Sequence, residues 1–135
     1  MPIRTFRDLE VYQDSYSASL EVSKLTRKFP RIEQPELARQ LRRAARSVPA
    51  NIAEGWAKRS SPAEFKRYLQ IAIGSCHEVS IWLDMSKDEG FITEQAHNAM
   101  RNRYNKIGVM LYRLWKNWRG TPSPAPSRPP DLPTP

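Results

Sequence analysis

A proline interrupts the strongest periodic run in this chain without ending it. Leu37, Leu41, Ala44, Ala45, Val48 and Ile52 recur at three- and four-residue spacing, as on one face of an α-helix. Pro49 falls inside that run. Its ring presses on the carbonyl of Ala45, and its missing N–H leaves that carbonyl without a helical partner. The apolar spacing resumes at Ile52, so the sequence predicts one continuous helix, kinked between Ala45 and Pro49. Gly55 then marks either the helix end or a close backbone contact. The same helix carries a second stripe. Arg39, Arg42, Arg43 and Arg46 recur at i, i+3, i+4 and i+7, about 180° from the apolar face. A segment divided in this way buries one side and turns the other outward.

Three further helices are predicted. The first runs from about Asp8, as N-cap, to Phe29, where Pro30 stops it. Val11, Ala18, Val22, Leu25 and Phe29 form its core stripe, and Leu9, Tyr12, Tyr16 and Leu20 form another. Ser15, Ser19 and Ser23 lie between the two and permit close approach. Arg31 to Pro35 reads as a short loop, and Pro35 or Glu36 opens the arginine-bearing helix, which runs to about Trp56 or Lys58. Ser61-Pro62-Ala63-Glu64 starts the third helix, with Ser61 as cap, Pro62 at the first position and Glu64 completing a capping box. Its core stripe is Phe65, Leu69, Ala72, Cys76, Val79 and Leu83, with Tyr68, Ile71, Ser75 and Trp82 about 90° round the helix. Gly90 is its left-handed cap. Thr93 caps the fourth helix, whose core stripe is Ala96, Met100, Tyr104, Ile107, Leu111, Leu114 and Trp118, with Gly120 closing it. Val109 and Tyr112 fall on its basic side.

These helices and short links predict an all-α, up-down-up-down antiparallel four-helix bundle over residues 1–120. Residues 121–135 hold seven prolines and read as a disordered or polyproline tail. Its Pro-x-x-Pro spacings, Pro126–Pro129 and Pro130–Pro133, are what any proline-rich run of this length contains. The surplus stripes, Tyr12 and Tyr16 (with Leu9) on the first helix and Tyr68, Ile71 and Trp82 on the third, cannot all enter one core. Either the core is unusually thick or they form an oligomer interface.

Charge points toward a partner. The 135 residues carry a formal net charge of +8. Residues 36–59 carry six Lys/Arg against two Glu, and residues 94–119 carry six against one. Residues 60–90 carry three against five acids. Basic charge concentrated on two helices suits a polyanion or an acidic protein; the alternative is a merely solvated surface. Arg39, Arg42, Arg43, Arg46, Lys58, Arg59, Arg113 and Lys116 are the candidate nucleic-acid contacts, because guanidinium forks and ammonium groups suit phosphate oxygens.

Catalytic, metal and cofactor chemistry finds little footing. The five glycines are scattered rather than gathered in a phosphate loop. His77 precedes Glu78, so no Glu-x-x-His pair exists. His97, near the start of the fourth helix, reads as exposed. Cys76, the lone cysteine, reads as a small hydrophobe on the core stripe and fits a reducing cytoplasm. Asn51 and Glu54 either lie at a binding surface beside the arginines or serve the helix, Asn51 donating to the carbonyl freed by Pro49 and Glu54 pairing with Lys58; the kink favours the second reading. No apolar run approaches the roughly 20 residues of a membrane span, and Met1-Pro2-Ile3-Arg4 does not open a signal peptide.

Leu41-Arg-Arg-Ala-Ala-Arg-Ser-Val-Pro-Ala-Asn-Ile-Ala-Glu-Gly55 resembles the signature of the bacterial four-helix bundle family, also called the 23S ribosomal RNA intervening-sequence protein family. Phe6-Arg-Asp-Leu-Glu-Val-Tyr12, Leu25-Thr-Arg-Lys-Phe-Pro30, Ser60 to Phe65 and Leu69 to Glu78 are similar to its other segments, and the likeness covers roughly residues 4–119. The resemblance implies a ring-shaped homopentamer and no firm activity. Some relatives are encoded within ribosomal RNA intervening sequences. One branch looks like an accessory subunit for the reverse transcriptase of diversity-generating retroelements, from which this chain departs by its proline-rich tail. The expectation is a non-enzymatic, oligomeric RNA- or DNA-binding accessory protein, with no cofactor and no membrane contact. The alternative is a protein–protein adaptor with no direct nucleic-acid role.

Overall fold

The structure, a computed structural model, describes residues 2–120. The described residues form four α-helices and no strand: α1 Glu10–Thr26, α2 Arg39–Ala57, α3 Pro62–Asp88 and α4 Glu94–Asn117. Each helix packs on its neighbours in sequence, and α1 closes the bundle against α4. With links this short, consecutive helices run antiparallel. The proline-rich run 121–135 lies outside the described residues.

Side-chain caps set most of the boundaries. Ser61 Oγ accepts the Glu64 N–H at 3.2 Å, with Pro62 at the first helical position. The expected capping box is not closed. The Ser61 N–H goes to the Lys58 carbonyl at 3.1 Å, and the Glu64 carboxylate turns to Arg67 at 3.4 Å. Helix α3 ends at Gly90, whose φ of +86° suits glycine. The Gly90 N–H donates to Lys87 O at 2.9 Å and the Phe91 N–H to Ser86 O at 2.8 Å, the paired bonds of a Schellman ending. Thr93 then caps α4 through the Ala96 N–H at 3.0 Å.

Three boundaries differ from the sequence reading, the first being the end of α1, which stops at Thr26 rather than at the expected Phe29. Asp8 does not start α1. It closes a 3-10 turn at Phe6–Asp8, where its carboxylate accepts the N–H groups of Thr5 at 3.0 Å and Arg4 at 2.8 Å. Those two backbone bonds hold the Asp8 carboxyl below its usual range. Residues 31–35 are not a loop: a 3-10 turn at Arg31–Glu33 and a π-turn at Gln34–Ala38 lead into α2. Glu33 accepts the Leu37 N–H at 3.4 Å, and Pro35 has no N–H to leave orphaned at a helix entry.

Helix α2 is helical without a break through Pro49. Asn51 bonds the Ser47 carbonyl at 2.8 Å and the Ser47 hydroxyl at 3.0 Å, not the Ala45 carbonyl. A side chain two residues beyond the proline reaches back four positions, which brings it to Ser47. The Ser47 and Ser75 hydroxyls meet at 2.7 Å and tie α2 to α3. Glu54 forms no ion pair with Lys58, whose ammonium lies 5.5 Å from the Tyr68 ring centre.

The core follows the stripes. Val22, Leu41, Ala45, Val48, Ile52, Phe65, Leu69, Leu83 and Leu111 are fully buried. Leu9, assigned with the outer stripe, is buried in the core, because the 3-10 turn before it folds the chain inward. Trp56, Phe65 and Trp118 close one end, with Phe65 and Trp118 ring centres 4.6 Å apart. His97, expected to be exposed, is buried, with Nε2 at 2.7 Å from Asp84 Oδ1. It precedes Met100, Tyr104, Ile107 and Leu111 at core spacing, so His97 rather than the expected Ala96, which is half-buried, begins the α4 core stripe.

Two packing features set the α2 geometry and can be tested. A Cβ at Gly55 would lie 2.7 Å from Tyr68 Cβ and 3.1 Å from a Phe65 ring carbon, so the glycine lets α2 and α3 approach. Gly55→Ala is expected to lower stability by about 1–3 kcal/mol in urea unfolding, since the obstructing Tyr68 atom adjoins the backbone. At the other end, Arg42 Nη1 donates to Thr26 Oγ1 at 3.1 Å and Gln34 Oε1 at 3.2 Å, clamping the end of α1 to the start of α2. Arg42→Gln is expected to lose about 1–3 kcal/mol of stability. Arg43→Gln, on the exposed side, is expected to stay within about 0.5 kcal/mol. Equal melting temperatures for the two variants would rule out the clamp.

Candidate nucleic-acid interface

The candidate cations sort into three settings. Arg39, Arg43 and Arg46 stand along the outer face of α2, in no ion pair among the described residues. The helical period alone puts them there, since the residues between them fill the core. Arg42 belongs to the same stripe by spacing but not by role. It is half-buried and its guanidinium is engaged by Thr26 and Gln34. A side chain that holds a turn is poorly free to hold a phosphate.

The third setting is one end of the bundle, where the last turns of α2 and α4 meet the first turn of α3. Trp56 and Trp118 ring centres are 6.0 Å apart there. Lys58 and Lys116 are exposed, as is Arg113. Arg59 packs its guanidinium 4.3 Å from the Trp56 ring centre and donates to the Trp56 carbonyl at 2.9 Å. Burial lowers its pKa, and its Nε has no hydrogen-bond partner among the described residues. Lys66, which the sequence pattern does not single out, reaches over the Trp115 ring at 5.8 Å. Its position one residue after Phe65 places it beside the core stripe and next to α4, a relation visible only once the helices are paired. Trp56 is buried beneath Arg59, Phe65 and Trp118, and the half-buried Trp115 and Trp118 are the rings nearer to solvent at this end, beside cations that can meet phosphates.

The apolar candidates are split as well. Tyr16 is 50% exposed and Ile71 40% exposed. Tyr12, Tyr68 and Trp82 are half-buried. Tyr12 stacks edge-on to Phe6 at 4.9 Å, and Trp82 Nε1 donates to Glu78 at 3.2 Å. Tyr12, Tyr16 and Leu20 form one wall of a groove of about 360 Å³, with Arg46, Pro49, Ala50 and Ala53 of α2 as the other, so Arg46 belongs to this groove as well as to the outer row. Tyr68, Ile71 and Trp82 lie on the opposite flank of α2, along α3. Sequence spacing missed Ile81, Met85 and Ile32, which are also exposed. Met85 follows Trp82 by three residues and Ile81 by four, so it continues the outer α3 stripe, whereas Ile32 sits in the 3-10 turn before α2.

Cys76 and His97 are sequestered, whereas His77 is exposed. Burial pushes the Cys76 thiol up to about 12, so it is protonated at neutral pH. His97 Nε2 is occupied by Asp84. Among the described residues no helix is long and apolar enough to cross a membrane.

The crystal structure of a protein of unknown function from the S23 ribosomal protein family of Bacteroides thetaiotaomicron VPI-5482 shares this fold. Its TM-score is 0.69 at 24% sequence identity, and the overlap covers 78% of this chain and 98% of that one. No curated protein gives a significant match. The family model described as 23S rRNA-intervening sequence protein matches residues 7–113. That match reaches into all four helices and takes in the whole of the proline-bearing arginine helix, and so the chain belongs to the 23S rRNA-intervening sequence protein family.

Proposed function

We propose that this protein is a non-enzymatic, oligomeric nucleic-acid-binding accessory protein of the cytoplasm that contacts RNA or DNA through phosphates. The observation that carries the reading is the row Arg39, Arg43 and Arg46, set on one outer helix face with no acidic partner among the described residues. Lys58, Arg59, Arg113 and Lys116 extend the positive surface to the tryptophan-rich end. Arg42 acts behind them, by fixing the start of the helix that presents them. The family's description as intervening-sequence proteins of 23S rRNA is consistent with an RNA partner. A reverse transcriptase is the proposed protein partner, since a basic assembly suits an enzyme that handles nucleic acid. The buried thiol of Cys76 and the engaged imidazole of His97 support a binding role over catalysis.

The oligomer is proposed as a head-to-tail ring of five copies. Tyr12 and Tyr16 on the α1/α2 groove would meet Tyr68, Ile71 and Trp82 of the next copy, two unlike faces as a heterologous ring requires. A kink at Ala45–Pro49 would set the angle between the two flanks of α2. Burying each large apolar side chain in this interface contributes roughly 1.5–3 kcal/mol.

Two outcomes are expected. Arg39→Gln with Arg43→Gln and Arg46→Gln should weaken binding of mixed single-stranded RNA. The slope of log K against log salt should fall by about 0.7 for each phosphate that is no longer neutralised. An unchanged slope, or recovery of an acidic protein partner from nuclease-treated lysate with no RNA affinity, would favour the adaptor reading instead. Ile71→Asp should reduce the mass seen by light scattering to that of one chain while circular dichroism still reports helix. A single-chain mass for the unmodified protein at micromolar concentration would dismiss the ring.

A further inference from the structure

The face between α3 and α4 contains two glycines that the bundle does not need. Gly74 and Gly108 lie in helix interiors, where glycine weakens a helix relative to alanine. Neither has positive φ, and a Cβ at either would meet nothing within 4 Å. Gly55, by contrast, is required by its neighbours. What a bare backbone does allow is the close approach of a ligand. Both glycines line adjoining grooves that share His77 and Tyr112, one of about 650 Å³ at Gly108 and one of about 350 Å³ at Gly74. The two form a channel along α3 and α4. Tyr112 stands 50% exposed in it, its ring 5.8 Å from that of Trp115 and tilted by only 31°. His77 and Asn105, both exposed, add polar groups. Arg113 and Lys116 line the larger groove, and no carboxylate among the described residues lines either one.

We propose that this channel seats unpaired nucleobases of the strand whose phosphates meet Arg113 and Lys116, an inference that rests on the nucleic-acid reading above and adds base contacts to it. Charge selects the ligand first: a channel with two cations and no carboxylate favours a polyanion. The aromatic pair selects it further. Every base has a flat π-face, and an exposed tyrosine stacked against a tryptophan offers a platform that accepts one whatever its sequence. The edge of an unpaired base also needs donors and acceptors, and the His77 imidazole and the Asn105 amide each supply both. The glycine floor lets a flat ring sit low against the helices. Arg113 follows Tyr112 directly and Lys116 lies one turn further on, about 6 Å along the axis at 1.5 Å per residue. Both cations therefore stand beside a base seated on Tyr112. A duplex keeps its bases paired and stacked within itself, so it would meet the cations and leave the channel empty.

Two probes of equal length and charge test this on the full chain: single-stranded oligoadenylate RNA, and the same chain with every nucleotide replaced by an abasic sugar phosphate. Oligoadenylate is expected to bind about 5- to 100-fold more tightly for each base seated on an aromatic ring. Tyr112→Ala should bring oligoadenylate to the affinity of the abasic chain, and Tyr112→Phe, which keeps the ring, should retain the preference. Gly108→Leu, which fills the channel floor with a good helix former, should abolish the preference with the helix content unchanged. Equal affinities of the unmodified protein for the two probes would overturn the base contacts and leave the phosphate reading standing. Binding of neither probe would overturn both. A preference for oligoadenylate that survives Tyr112→Ala and Gly108→Leu alike would put the bases elsewhere and overturn the channel.

Discussion

The closeness of α2 to its neighbours is the constraint on which the rest of the bundle depends. The inward side of α2 is built from Ala38, Leu41, Ala44, Ala45, Val48 and Ile52, none more than 3% exposed. Three of those six are alanines, so the helix axis can approach α1 and α3 without large side chains intervening. Gly55 continues the approach at the far end, against Phe65 and Tyr68. Once that side is fixed, the period of the helix leaves no choice for Arg39, Arg43 and Arg46: they face outward. The charge stripe is therefore a geometric consequence of the small-residue stripe, and a change that rotated or lifted α2 would move both together.

Much of this was legible in the sequence because it rests on local chemistry. Ser61, Thr93 and Gly90 act where their side chain or backbone conformation is needed within a few residues of themselves. The core stripes of α2, α3 and α4 follow from period alone. The misses share a different cause. His97 is buried because Asp84, thirteen residues away on another helix, accepts its ring nitrogen. Arg42 is engaged by Thr26 and Gln34 across a helix turn. Leu9 is inside because the preceding turn bends the chain toward the core. In each case a polar partner or a chain reversal outside the residue's own helix decided its place, and spacing carries no information about either.

The basic side chains show the same division in energetic terms. Free cations keep their hydration and meet a polyanion at little structural cost. Engaged ones do not: Arg59 is bound to the Trp56 carbonyl and stacked on its ring, and burial disfavours its charge. Arg42 is similarly committed. Counting arginines in the sequence therefore overstates the surface available to phosphate. The engaged pair raises the rigidity of what remains, because it fixes the two ends of α2 between which Arg43 and Arg46 are held. A rigid array loses less side-chain entropy on binding than a flexible one.

Four helices in ring order leave four flanks, and the exposed apolar surface is distributed unequally among them. The α1/α2 flank holds Tyr16 and Leu20, each 50% exposed. The α3/α4 flank holds Val109 and Tyr112, 48% and 50% exposed. These flanks lie on opposite sides, because α1 packs on α2 and α4 while α3 packs on the other side of both. One covering partner cannot reach the two at once unless it repeats around a ring. The flanks also differ in relief. The α1/α2 groove is walled by tyrosines, Leu20, Pro49 and alanines together with Arg46, a surface suited to another helix that carries an acidic residue. The α3/α4 channel has glycines at its floor and indole and phenol rings at its walls, a surface that admits a narrower chain. Surplus apolar residues in a small bundle thus carry more information in their shape than in their number: a helix fits the first flank, and a narrower chain fits the second.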